Sequence, residues 1–74
     1  MNTAKTTPDI VFANLSNGNR VVIRVGQRGI SIGIEVRNIP GHDPFVIPKL
    51  WTPGTDAAAM KEAEYLATEI VETY

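Results

Sequence analysis

The sequence predicts an α+β fold, a small two-layer domain in which a three- or four-stranded antiparallel meander packs on one C-terminal helix. Three observations carry this expectation. Residues 30–37, ISIGIEVR, alternate apolar with small or charged side chains, the period-two signature of a strand with one buried face. Asn17-Gly18 and Gly26-Gln27-Arg28-Gly29 punctuate the chain before it at hairpin spacing, so consecutive strands are expected to pair. Residues 57–73 then place apolar side chains every three or four positions, as a helix with one covered face does.

In chain order, residues 1–8 are polar and threonine-rich and read as a flexible tail, leaving residues 9–74 as the single domain this length allows. Folding at this size buries roughly 60% of the extended chain's surface, enough for a thin core. The first strand is expected over about 10–16, with Ile10 and Phe12 on one side and Val11, Ala13 and Leu15 on the other. A two-residue type I′ loop at Asn17-Gly18 would set Phe12 opposite Ile23, Ile10 opposite Val25 and Ala13 opposite Val22. Strands over 19–25 and 30–37, closed by the second turn, would pair Val25 with Ile30, Ile23 with Ile32, Val21 with Ile34 and Arg20 with Glu35. Together the two registers gather Ile10, Phe12, Val21, Ile23, Val25, Ile30, Ile32, Ile34 and Val36 on one face. A slip of one residue would scatter that set.

Residues 38–53 contain Pro40, Pro44, Pro48 and Pro53, a density expected to exclude a long regular element. A short fourth strand over 45–47 fits at an edge, where Pro48 costs no ladder bond. Leu50 and Trp51 are expected to anchor this loop as semi-buried side chains. Asp56 or Thr55 then caps a helix over about 56–73. Its stripe is Ala59, Ala63, Leu66, Ala67, Ile70 and Tyr74, with Lys61, Glu62, Glu64, Glu69 and Glu72 toward solvent.

Chemistry is constrained more by what is missing. The chain has no cysteine, which excludes disulfides, thiolate metal sites and a cysteine nucleophile, and one histidine, His42, which cannot build a multi-histidine centre. No arrangement of Ser16 or Ser31 with a base is predicted, and the glycines at 26 and 29 lie between strands rather than before a helix, so a phosphate loop is not expected. The expectation is a protein that is not an enzyme, with no metal, cofactor or small-molecule substrate. The opening residues lack the apolar segment of a signal peptide and no run approaches the roughly 20 apolar residues of a membrane span, so a cytoplasmic protein is expected.

Two binding classes remain. Residues 1–49 carry six Lys or Arg against three Asp or Glu, while residues 50–74 carry one against five. A basic sheet backed by an acidic helix follows. The sheet face away from the helix should hold Val11, Ala13, Leu15, Val22 and Gly33 between arginines, the composition of a modest protein interface, used by a second copy in a homodimer or by another protein. An edge strand offers a second route. The alternative is nucleic acid, contacted by Arg20, Arg24, Arg28 and Arg37. In its order of elements, three strands and then a helix, the chain resembles the small sheet-reading DNA-binding domains of the integrase arm-binding type over residues 10–74. That resemblance implies that these four arginines take the place of the family's sheet arginines. No aromatic is expected on that face, so a base-stacking platform is not. A contact role for His42, Phe45 and Trp51 in the proline-rich segment completes the candidates.

Overall fold

The computed structural model describes residues 9–73. Four strands, β1 (Ile10–Asn14), β2 (Arg20–Val25), β3 (Gly29–Val36) and β4 (Phe45–Pro53), are followed by one helix, α1 (Ala57–Thr73). The strands form one antiparallel sheet in the order β1-β2-β3-β4, and the helix crosses one face of it, packing most closely on β3. This is the expected α+β architecture in its four-stranded form. The tail expected over residues 1–8 and the helix-stripe position of Tyr74 lie outside the described residues.

The β2–β3 hairpin follows the expected register at every pair, from Arg20 opposite Glu35 to Val25 opposite Ile30. The Gly26 amide closes the turn by donating to the Gly29 carbonyl at 2.8 Å. Val21, Ile23, Ile30, Ile32 and Ile34 are buried, and Ala59, Ala63, Ala67 and Ile70 meet them from the helix. Ala63 and Ala67 are wholly inaccessible, so the alanine stripe lets the helix backbone lie close on the isoleucines. Asp56 is the cap: its Oδ1 accepts the Ala59 amide at 3.0 Å, satisfying a donor that the first turn leaves over.

The first hairpin departs from expectation. The Gly18 amide donates to the Leu15 carbonyl and the Leu15 amide to the Asn19 carbonyl, which makes Ser16–Gly18 a three-residue loop. Gly18 is at φ +94° while Asn17 is not at positive φ, so the turn is type I followed by a left-handed glycine, and not type I′. A bulge between Val11 and Ala13 shifts the register further, to Ile10 opposite Ile23, Val11 opposite Val22 and Ala13 opposite Val21. The consequence reverses part of the expected face assignment. Ala13 and Leu15 pack on the helix-side core and Phe12 falls in the bulge at 36% exposure, while Ile10 keeps the expected side opposite Ile23 but is 45% exposed.

Asparagines tie this end of the sheet together. Asn17 Oδ1 accepts the Asn19 amide, and Asn19 Oδ1 accepts the Arg37 amide at 3.1 Å just beyond β3.

The larger correction is β4. It is nine residues long and runs through Pro48 to Pro53, where a three-residue strand and a loop were expected. It is an edge strand, and its bulge at Lys49 falls next to Pro48, so proline occurs only where a ladder tolerates it.

Candidate functional site

Two surfaces carry the candidate residues: the open face of the sheet, opposite the helix, and the flank of β4. On the open face the cross-strand rows are Arg24–Ser31–Trp51, then Val11–Val22–Gly33–Pro48, then Arg20–Glu35–Val46. Of the five residues expected to form an apolar interface here, Val11, Val22 and Gly33 are on this face, and Ala13 and Leu15 are not. Val22 is only 1% exposed and Gly33 is buried, so the centre is already closed by its neighbours. A methyl group on Gly33 would lie 2.5 Å from the Ile47 carbonyl oxygen and 2.8 Å from Val46 Cγ1, which shows how tightly β4 lies against β3 there. Val11, at 45% exposure, is the open part of that row.

Three of the four candidate arginines are on or beside this face, each near a carboxylate. Arg24 donates from Nε and Nη2 to the two oxygens of Asp9 at 2.7 and 3.1 Å, a bidentate pair. The hydrogen bond it donates to Asp9, and then the charge of Asp9, hold the Arg24 guanidinium above its ordinary pKa. Arg20 Nη1 and Arg37 Nε each lie 3.9 Å from Glu35 Oε1, within ion-pair range but beyond hydrogen bonding. Arg20 Nε and Glu35 Oε1 are buried and lack hydrogen-bond partners among the described residues. Arg28 stands apart in the exposed β2–β3 turn.

Trp51 is the feature that sequence reasoning misplaced. It is not a semi-buried anchor: it is 57% exposed, and it sits on the open face opposite Ser31. The bulge at Lys49 is the cause. Without the extra residue, Phe45, Ile47 and Trp51 would share the helix side; the bulge turns Leu50 and Thr52 inward and Trp51 outward. Its six-membered ring occupies the place of a side chain at Gly29, where a methyl group would come within 2.7 Å of Cε2 and Cζ2. So the open face does carry an aromatic.

On the other side, the helix packs most closely on β3 and also touches β2 and β4, yet it leaves the helix-side residues of β4 partly open. Phe45, Ile47 and Leu50 pair with Val36, Ile34 and Ile32 on the helix side, yet they are 44%, 41% and 37% exposed. A shallow trough of about 260 Å³ runs beside them, lined by Lys49, Leu50, Glu69, Ile70 and Thr73. His42 is exposed in the loop before β4, and its backbone amide donates to the Ile39 carbonyl. It is not brought together with Phe45 and Trp51, which themselves stand on opposite faces about 20 Å apart along the strand.

Among the described residues no three or more His, Cys, Asp or Glu side chains lie close enough to hold a metal ion, and no helix is long and apolar enough to cross a membrane. Comparison with protein-family models, curated proteins and solved structures finds no match to the chain.

Proposed function

We propose that the protein is a non-enzymatic interaction module that self-associates through β4, a second copy adding its own β4 antiparallel to the first. The observation that supports this is the uncovered helix-side flank of a nine-residue edge strand, where Phe45, Ile47 and Leu50 are all more than a third exposed. Edge strands of monomers are ordinarily shielded by charge, shortness or a covering element. Both edges are bulged, but β1 is only five residues long, while β4 runs for nine and leaves a row of apolar side chains partly open. β4 has one charged residue among its nine.

The same asymmetry favours a second copy over an open array. Antiparallel pairing of β4 about a two-fold axis near Ile47 uses the same strand on both sides, so it closes at two subunits. Phe45 of one copy then lies beside Leu50 of the other, and the apolar flank is covered by itself. Pro48 removes one backbone donor and the bulge interrupts the outer ladder, so side-chain burial supplies most of the association energy.

Light scattering across a concentration series tests the proposal. A dimer is expected for the wild type, and a monomer with unchanged circular dichroism for Ile47→Lys and for Phe45→Lys. A wild-type monomer would remove self-association, and a persistent dimer in both variants would move the interface away from β4.

A further inference from the structure

Trp51 and the arginines come together only in the folded sheet. Arg24, Ser31 and Trp51 form one cross-strand row, which sets the Arg24 and Trp51 backbones about 10 Å apart, two strand spacings, with both side chains on the same face. The indole lies over Gly29 on its inner side and is open to solvent on its outer side. The Asp9 pairing holds Arg24 in place through Nε and Nη2 and leaves Nη1 without a hydrogen bond among the described residues.

We propose that this open face binds single-stranded nucleic acid, with Trp51 stacking on an unpaired base and Arg24, Arg20 and Arg37 contacting phosphates. Charge complementarity selects the ligand. Residues 9–54, the sheet and its loops, hold five Lys or Arg against three Asp or Glu, and residues 55–73, the helix segment, hold one against five. A polyanion is therefore drawn to the sheet side and repelled from the helix side. The surface shape selects the single strand. The exposed indole face can be covered only by a base that is out of its stack, which a duplex does not offer. The carboxylates of Asp9 and Glu35 keep the local positive charge small, so stacking carries more of the affinity than ion pairing does. This inference uses a different surface from the β4 flank and stands independently of self-association.

Trp51 is the one tryptophan of the chain and so reports on its own contact. Titration of the protein with an oligothymidylate at low salt is expected to quench Trp51 emission and raise the anisotropy of a labelled oligomer. Trp51→Ala should weaken binding by about 5- to 150-fold, the range for loss of one base–aromatic stack, with Trp51→Phe recovering part of it. Arg24→Gln should retain quenching and reduce the slope of log affinity against log salt by about 0.7. The Ile47→Lys variant should bind as the wild type does. The proposal is overturned by an unchanged emission and anisotropy at low salt, by a mixed-sequence duplex binding at least as tightly as the single strand, or by a folded Trp51→Ala that binds undiminished.

Discussion

The β2–β3 hairpin and β4 are adjacent strands of one sheet, both rich in branched apolar residues, and they meet opposite fates. Every helix-side residue from Val21 to Ile34 in the hairpin is buried or packed on the core. In β4 only Thr52 is buried, while Phe45, Ile47 and Leu50 stay partly in water. The helix makes the difference. A single 17-residue helix about 10 Å wide packs most closely on β3 and reaches β2 and β4 on either side, but it cannot fully cover four strands set about 4.8 Å apart. The outer strands are therefore left with apolar side chains that the fold itself does not cover. Stability is concentrated at the centre, and the capacity for binding at the margins.

The widest separation between the two regions should come from equivalent truncations. Ile32 is fully buried beneath the helix, so Ile32→Ala is expected to cost about 2–5 kcal/mol through lost burial and the cavity left behind. Ile47, on the same face but only partly covered by the helix, should lose well under half as much in Ile47→Ala. Urea denaturation of the two variants at protein concentrations low enough to keep both monomeric gives the comparison directly. Equal losses would mean that β4 is as much part of the core as β3.

Next in size is the contact that lets the helix approach. Ala63 has no accessible surface, and Ala63→Leu should force the helix off the isoleucines at a cost of about 1–3 kcal/mol. The same substitution at Glu64, on the outer side, should change stability by no more than about 0.5 kcal/mol. A tolerated Ala63→Leu would show that helix and sheet are not closely packed.

The comparison also explains what the sequence discloses. The β2–β3 register was legible because turn chemistry and alternation point to one answer there, and a one-residue error would expose the whole isoleucine row. Neither condition holds at the margins. Asn17-Gly18 suits a two-residue type I′ loop, but glycine is equally at home after a type I turn beginning at Leu15, and the bulge at Phe12 leaves no mark in the composition. In β4 the prolines argue against a strand unless the strand is known to be an edge, which is a property of the assembled sheet. Trp51 is the sharpest instance, since its face depends on the parity set by one bulged residue. Of the candidate sites, Arg20 and Arg24 were legible as residues of the outer face by their alternation with Val21, Ile23 and Val25. Asp9, the carboxylate partner of Arg24, was not, because it pairs across fifteen positions of sequence. Val22 shows that a correct face does not give exposure: it lies opposite Gly33 on the open side as expected, yet it is 1% exposed, so Val22→Asp would bury a charge and unfold the protein.

At the helix N-terminus the two regions meet, and the effect to expect is intermediate. Asp56→Ala removes the acceptor for the Ala59 amide and should cost about 1 kcal/mol, measured by thermal or urea unfolding. Asp56→Asn keeps an acceptor and should recover most of it. If both variants lose the same amount, the charge of Asp56 matters more than its hydrogen bond.

The smallest effect belongs to the outer side of the helix, where Tyr65 is 62% exposed. The Glu69 carboxylate one turn along, by hydrogen bonding and then by its charge, raises the phenol pKa above the usual tyrosine value. Glu62 and Glu72 add smaller contributions in the same direction. The folded state thus holds the proton more tightly than the unfolded chain does. The resulting stabilisation is complete below the unfolded tyrosine pKa, near 10, and is lost as pH rises through the higher folded value. A Tyr74→Phe background leaves Tyr65 as the one tyrosine, and its ultraviolet absorbance titration should run to higher pH than that of the urea-unfolded chain. Glu69→Gln should bring the folded titration back toward the unfolded one while leaving the helix intact. A midpoint that does not move in Glu69→Gln would mean that the phenol is held by its other acidic neighbours alone.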